Sequence, residues 1–298
     1  MGDPVISVII TTYNHESYIA QAIGSVLAQR ECPSCEIIIG EDCSTDNTRL
    51  VIEAFAKKDK RIRVLNHNPN IGLQQNLKAC IDVCRGQYIA ICEGDDIWID
   101  ECKLNKQYEI LKNNASAVMC FSDINLLFED GTTSNHYEDI KKSLPGEITA
   151  KEVIIYNGLS ATFSCCMYTA QVVETVPQSF FEKREGFDFL FNLYVLEHGC
   201  GIFLKDICVN YRIHRHGLWS GKSIDEKINE TVKSLCAYNK EFNYKYNVYF
   251  KECIISCLSV NLEVKAIKKE PFRELFSISI PWPKQRILKI SIQGGRKK

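Results

Sequence analysis

Net charge is nearly absent from this sequence: its 298 residues carry 36 Lys and Arg against 37 Asp and Glu, a balance of −1. That excludes a highly basic nucleic-acid binder, and a chain 45% hydrophobic and 24% charged has too much apolar surface to remain disordered. Repeats and low-complexity segments are also missing, and the length suits one large α/β domain or a domain with an appendage. No N-terminal stretch combines a basic flank, an apolar core and a small-residue cleavage site, because polar Thr11, Thr12, Asn14 and His15 follow residues 5–10 directly. The longest uncharged run, residues 153–173, has about the length of a membrane span. Asn157, Gly158, Ser160, Thr162, Ser164, Thr169 and Gln171 interrupt it, so a buried strand with its flanking elements is expected there, in a cytoplasmic body.

Cysteine is not scarce, but its 15 copies form an odd number, and without a secretion signal they predict no disulfide framework. Cys32-x-x-Cys35 is the only C-x-x-C, with no second pair at zinc-finger spacing. Cys80/Cys84 and Cys253/Cys257 stand four apart and would share helix faces as small apolar residues. Reduced, mostly packing cysteines are expected.

The neutral total hides an asymmetry. Residues 264–298 hold ten Lys and Arg against two Glu, a net +8, which leaves −9 on residues 1–263 (26 basic, 35 acidic). The body and the tail need separate explanations.

Along the body, short β-rich runs alternate with helical patterns. Residues 5–11 read as a buried strand, and Tyr18, Ala22, Ser25, Val26 and Gln29 place a helix after it. A second strand spans 36–40, followed by an Asp46 N-cap and a helix marked by Leu50, Val51, Ala54 and Phe55. A third strand covers 62–65; a Pro/Gly loop then leads to a helix ending near Gly86 and a fourth strand at 87–92. Farther on, the pattern predicts a helix at 102–113, a strand at 117–121, a hairpin turn at Glu129-Asp130-Gly131 and a buried strand at 163–168. A helix at 185–198, short strands at 202–204 and 207–213, and a helical stripe from 224 toward 269 complete it. Repeated β-α units predict an α/β fold with a doubly wound, mostly parallel, Rossmann-like sheet, which binds ligands beyond the carboxyl ends of its strands.

Polar clusters occupy those ends: residues 11–14, 41–46 and 93–96. Glu93-Gly94-Asp95-Asp96 is the sharpest. Three carboxylates in four residues repel one another, and a hard divalent cation bridging them to phosphate oxygens would relieve the repulsion. Mg²⁺ or Mn²⁺ there would also stabilise the charge that accumulates on a departing nucleoside diphosphate. A solvated acidic turn is the plain alternative, which the second acidic turn, Glu41-Asp42, makes less attractive.

Residues 5–14 (VISVIITTYN), 36–48 (EIIIGEDCSTDNT) and 93–98 (EGDDIW) resemble glycosyltransferase family 2, an inverting family of GT-A fold, in order and at family-like spacing across residues 3–215. The resemblance implies a catalytic domain over 1–220, with a nucleotide-sugar half at 1–100 and an acceptor half at 101–220, and a helical C-terminal extension over 221–298. It also implies an inverting transfer from a nucleotide-sugar donor, UDP-linked, to a hydroxyl of a glycan or lipid-linked glycan in cell-surface polysaccharide synthesis. Carried over position by position, Thr11 and Tyr13 line the nucleotide pocket, with Tyr13 stacking on the base, and Asp42 accepts from a uracil-like ring. Asp95 matches the metal-binding Asp of the D-x-D signature and Asp96 the carboxylate beside it. Glu93 stands where the first Asp is commoner; Glu41 likewise replaces an Asp, and Cys43 a Gly. Asn76, in N-x-G-x-x-x-N, would contact the donor, with Gln74 or Gln75 where an Arg often stands. Asp188 matches the catalytic base, with Glu185 as runner-up; alone it would read as a helix N-terminal Asp favoured by the macrodipole. Tyr211-Arg212-Ile213-His214 resembles the Y-R-x-H close of the domain. There Arg212 or His214 would reach the diphosphate or the metal, Mn²⁺ or Mg²⁺, with residues 217–220 closing over the donor, a structural hydrogen bond being the plain alternative for His214.

Two readings of the tail stand side by side. Its aromatic and aliphatic residues among Lys and Arg suit an anionic membrane surface at the inner face of the cell membrane, and equally a helix packed on the body. Nucleic acid is not an expected partner. Two other functions compete with transfer: a nucleotidyltransferase, which would want a Gly-rich, basic loop where residues 12–15 stand, and a noncatalytic nucleotide-sugar binder, against which Asp95, Asp96 and Asp188 together argue.

Overall fold

A computed structural model describes residues 2–138, 141–156, 161–182, 187–215, 217 and 222–267. The expected runs 185–198 and 153–173 lie partly outside these, and Glu185, residues 218–220 and the tail from 268 onward lie wholly outside.

The first half alternates strand and helix: β1 (Ile6–Thr12), α1 (Ile19–Leu27), β2 (Cys35–Glu41), α2 (Thr48–Ala56), β3 (Ile62–Asn66), α3 (Leu73–Ile81) and β4 (Tyr88–Glu93). The second half is mixed: β5 (Ile97–Trp98), α4 (Lys103–Asn113), β6 (Ala117–Phe128), β7 (Thr133–Asn135), α5 (Ala150–Ile155), β8 (Cys166–Thr169), α6 (Ala170–Val173), α7 (Gln178–Phe181), α8 (Phe187–Leu196) and β9 (Cys200–Ile213). Two helices follow, α9 (Ile224–Glu241) and α10 (Asn247–Ile267). This is the α/β fold the sequence predicts, with its C-terminal helical region.

The nine strands among the described residues share one sheet, ordered β3-β2-β1-β4-β8-β6-β9-β5, with β7 beside β6. β1 is buried along its whole length, as its uninterrupted apolar run requires of a strand covered on both faces. It pairs in parallel with β2 on one side and β4 on the other, so the chain winds outward in both directions from it. The loops leaving β1 and β4 therefore diverge and open a crevice at the switch point. The register puts Thr11 level with Gly40 and Glu93, and Thr12 level with Glu41, which sets three of the polar clusters side by side.

Four elements differ from the sequence pattern. Of the buried strand expected at 163–168, Phe163–Cys165 form a turn of 3-10 helix and only Cys166–Thr169 is strand. α3 stops at Ile81, short of Gly86. The strands expected at 202–204 and 207–213 form one strand, which pairs in parallel with β6 through bulge-like register shifts near Asp123. β6 itself runs on to Phe128, because its outer half gains β9 and β7 as partners; a single-strand pattern carries no sign of such pairing.

Candidate active site

The loops leaving β1 and β2 are laced together by reciprocal side-chain to backbone bonds. Asn14, at the left-handed φ of 56° that Asn tolerates, accepts from Thr45 N–H (2.8 Å) through Oδ1 and donates its own N–H to Ser44 Oγ (3.0 Å). Asp46 accepts from the N–H groups of Thr48 (2.9 Å) and Glu16 (3.0 Å), while Glu16 accepts from Asn47 N–H (3.0 Å). Asp46 is therefore not the N-cap expected: Asn47 holds the capping position of α2, and Asp46, one residue earlier, binds the N–H of the first helical residue, Thr48. Tyr13 stands 43% exposed at the rim of this frame, with Thr11 and Thr12 buried behind it.

Glu41 and Asp42 are both buried. Glu41 binds Arg49 (2.5 Å) and accepts from Ser44 N–H (2.6 Å). Burial works to raise its carboxyl, but the bonds from Ser44 and Arg49 overrule that and hold it below the ordinary value. Asp42 takes the N–H groups of Ile71 (2.8 Å) and Gly72 (2.9 Å), and Asn70 Nδ2 donates to its carbonyl (2.7 Å). The segment 70–72 is thereby fastened to the end of β2. Asn76, expected at the donor, is buried beneath this loop: Nδ2 donates to Gly40 O (2.8 Å) and Oδ1 lies 3.1 Å from His67 Nε2. A Cβ on Gly40 would lie 2.0 Å from Asn76 Oδ1, so glycine there is what lets the amide pack. Gln75 donates to Phe181 O (2.7 Å) and ties α3 to α7.

The third turn is built differently. Gly94 N–H donates to Thr11 O (3.0 Å), and a Cβ at Gly94 would sit 2.7 Å from Thr12 Oγ1 and 2.8 Å from His15 Nδ1, so only glycine lets the acidic turn press on β1. Asp95 Oδ2 meets His214 Nε2 at 2.9 Å and His15 Nε2 at 3.9 Å. Burial pushes its carboxyl up, but His214 and His15 bring it below the ordinary value. Asp96 turns the other way: Oδ1 accepts the backbone N–H of Arg212 (2.8 Å), while Oδ2 is buried without a hydrogen-bond partner among the described residues. Glu93 donates its N–H to Ser164 Oγ (2.9 Å). Burial, aggravated by neighbouring carboxylates, drives both Glu93 and Asp96 well above the ordinary range.

Of the four expected metal ligands, then, the structure brings Asp95 and His214 together and leaves Glu93 and Asp96 around them. Among the described residues no three His, Cys, Asp or Glu form a ready-made metal site. The donor chemistry nonetheless suits a divalent cation: a carboxylate oxygen and an imidazole nitrogen face each other amid acids raised by burial and by one another. Phosphate oxygens and water would complete such a shell.

Arg212 does not extend into the crevice. Nε donates to Asp95 O (2.7 Å), the guanidinium reaches Gln21 Oε1 (2.7 Å), and it lies 4.7 Å from the centre of the Tyr18 ring. Tyr18 also packs on His214, ring centres 4.9 Å apart. Tyr18, Gln21 and His15 were not singled out as site residues; their helical periodicity marks Tyr18 as core, and nothing local shows that β9 returns to meet it. Asp188 sits in the first turn of α8, held by Phe189 N–H at 2.8 Å. Burial lifts its carboxyl to about 6. It adds to the charge around Glu93, and with Glu93, Asp96 and Asp95 it reinforces the burial that raises the Tyr211 hydroxyl. The catalytic-base candidate therefore shares the electrostatic field of the acidic turn, on an element from the other half of the chain.

A model of glycosyl transferase family 2 matches residues 7–176, more than half of the sequence and all three acidic or polar turns. The chain belongs to that family. Among its relatives, an uncharacterized protein of Mycobacterium tuberculosis is 28% identical over 74% of the chain. The chain spans 62% of that protein's length. A UDP-Glc:alpha-D-GlcNAc-diphosphoundecaprenol beta-1,3-glucosyltransferase of Escherichia coli is 29% identical over 74% of this chain and 82% of its own. Among solved structures, S. aureus TarS 1–349 in complex with UDP-GlcNAc superposes with a TM-score of 0.60 at 18% identity, covering 78% of this chain and 65% of that one. A Pyrobaculum calidifontis mannosyltransferase in complex with GDP-Man and Mn²⁺ reaches 0.63 at 12% identity, over 91% and 77%. These likenesses bear on the fold, which is the family 2 arrangement of a curled, mostly parallel sheet flanked by helices.

Proposed function

We propose that this family 2 chain is an inverting glycosyltransferase that moves a sugar from a UDP-linked donor to a hydroxyl of a glycan or lipid-linked glycan in polysaccharide synthesis. The observation that carries the reading is the Asp95–His214 pair (2.9 Å) on the acidic turn that follows β4, with the raised Asp188 carboxyl near enough to Glu93 of the same turn to bear on its charge. The E. coli glucosyltransferase, with its UDP-Glc donor and undecaprenol diphosphate acceptor, supports the donor and acceptor classes. No helix among the described residues is long and apolar enough to cross a membrane. Contact with a lipid-linked acceptor through the basic tail is part of the same reading.

In this reading the exposed Tyr13 ring stacks on the base, and Thr11 and the Asp42 loop form the wall of its pocket. Asp95 and His214 would hold Mn²⁺ or Mg²⁺, with Glu93 and Asp96 beside it; such a cation would stabilise charge on the departing diphosphate. Arg212 clamps the acidic turn to α1 through Asp95 O and Gln21, which fixes the Asp95 carboxylate. Asn76 acts from below, holding the end of β2. Asp188 takes the proton of the acceptor hydroxyl as that oxygen attacks the anomeric carbon opposite the leaving group. A carboxyl titrating near 6 is ionised at neutral pH yet more basic than an exposed Asp, which suits that task.

The test is release of nucleoside diphosphate from a panel of UDP- and GDP-sugars with Mn²⁺ and alkyl glycoside acceptors, alongside donor-induced thermal stabilisation. Metal-dependent release and stabilisation are expected; neither turnover nor binding across the panel would falsify the reading.

A further inference from the structure

The Cys32-Pro33-Ser34-Cys35 segment lies at the start of β2, the opposite end of that strand from Glu41 and Asp42. Both cysteines are free and half-buried, so reagents reach them. Arg61 lies beside them: Asp59 grips its guanidinium through Nε (3.1 Å) and NH2 (2.7 Å), which leaves NH1 directed at Cys35 Sγ, 3.9 Å away. Cys32 stands three residues before Cys35, at C-x-x-C spacing. The neighbouring Cys32 thiol, with Arg61, outweighs burial and the opposing charge of Asp59 and lowers the Cys35 thiol to about 6, whereas Cys35 and burial drive Cys32 strongly upward. Elsewhere in the protein burial does the reverse, raising Cys80, Cys84, Cys92, Cys120, Cys166 and Cys208. A thiolate beside a fixed cation and a second thiol is the arrangement that reacts with disulfides, whereas a buried thiol is inert.

We propose that Cys32 and Cys35 form a redox-modification site that exchanges with low-molecular-weight disulfides, Cys35 attacking and Cys32 resolving. The Cys35 thiolate forms a bond to one sulfur of the small disulfide and expels the other half as a thiolate. Cys32 then loses its proton to that thiolate and attacks Cys35 sulfur, releasing the second half. One dithiol is oxidised, one disulfide is reduced to two thiols, and no other reactant is needed. The site is separate from the crevice and does not depend on the proposed transfer reaction.

The full-length reduced protein is incubated with oxidised glutathione at pH 7, quenched with N-ethylmaleimide and digested with trypsin. Peptide 31–49 also contains Cys43, so fragmentation must assign the sulfurs. A Cys32–Cys35 disulfide is expected in the wild type, with glutathione retained on Cys35 in Cys32→Ser and no modification of Cys32 in Cys35→Ser. A companion measurement needs no substitution: the pH profile of Cys35 alkylation by iodoacetamide should have its midpoint near 6, against about 8.5 for an ordinary peptide thiol. Arg61→Gln should move that midpoint upward. Two reduced thiols after treatment, glutathione settling on Cys32 instead of Cys35, or an alkylation midpoint at the ordinary value would each overturn the assignment.

Discussion

The two acidic turns of this protein look alike in sequence and are opposites in structure. Glu41-Asp42 is satisfied: Arg49, Ser44 and the N–H groups of Ile71 and Gly72 meet its carboxylates, and Glu41 titrates low despite its burial. Glu93-Gly94-Asp95-Asp96 is not. Glu93 and Asp96 titrate high, Asp96 Oδ2 has no hydrogen-bond partner among the described residues, and Asp95 faces two imidazoles. The first turn completes its own charge balance within the fold and serves as architecture. The second leaves negative charge unbalanced at the mouth of the crevice, where a cation and phosphates would complete it.

The sharpest way to break this contrast is to remove the carboxylate at its centre. Asp95→Ala should lower metal-dependent turnover by about 10³-fold, the scale of lost charge stabilisation on a leaving group, while leaving the fold intact. Activity within a few-fold of wild type in a diphosphate-release assay would remove Asp95 from the site. Asp188→Asn should reduce transfer by about 10²- to 10⁴-fold with donor binding retained, the range for loss of a general base. For the wild type, kcat/KM should rise with pH and level off above about 6, since the base works only when ionised. The same shift predicts the opposite trend for stability. A carboxyl whose folded pKa exceeds its unfolded value binds protons preferentially in the native state, so stability falls as pH rises from about 4 toward 6.

In the satisfied turn the large effect should be on stability. Arg49→Met leaves Glu41, with no exposed side-chain surface, without its counter-charge, at a cost of about 3 kcal/mol in chemical denaturation. In the unsatisfied turn the sign should reverse. Asp96→Asn keeps an oxygen to accept Arg212 N–H but removes a buried charge disfavoured by its neighbours, so it should raise Tm by a few degrees at pH 8. A lower Tm for Asp96→Asn would mean that its charge is compensated after all.

The strands of the first half were legible because each is a short apolar run bounded by polar residues, and the site at their ends followed from the topology. Which carboxylates are compensated was not legible. Arg49 stands seven or eight residues beyond the turn it neutralises, and Asp42's partners are backbone N–H groups of a loop that any residues but proline could supply. His15, Tyr18 and Gln21 escaped for the same reason: their significance arises when β9 carries Arg212 and His214 back across the sheet, a contact nearly 200 residues apart in sequence. Asn76 shows the converse. The family resemblance suggested a donor contact, and only packing reveals an amide committed to Gly40 and His67.

The smallest effect concerns Cys43, between the satisfied turn and its Ser44 bond. Its φ of 61° is left-handed, and a side chain there costs about 1 kcal/mol over glycine. The sequence resemblance already marked it as a cysteine where glycine is common. Cys43→Gly should therefore stabilise the protein by about 0.5 kcal/mol, because relief of the strained φ is partly offset by the larger unfolded-state entropy of glycine. Since Glu41 and Asp42 keep their partners, donor affinity should be unchanged. If the substitution instead weakens donor binding without lowering Tm, the Cys43 side chain itself contributes to the pocket, whose wall would then be more than the fixed backbone of this turn.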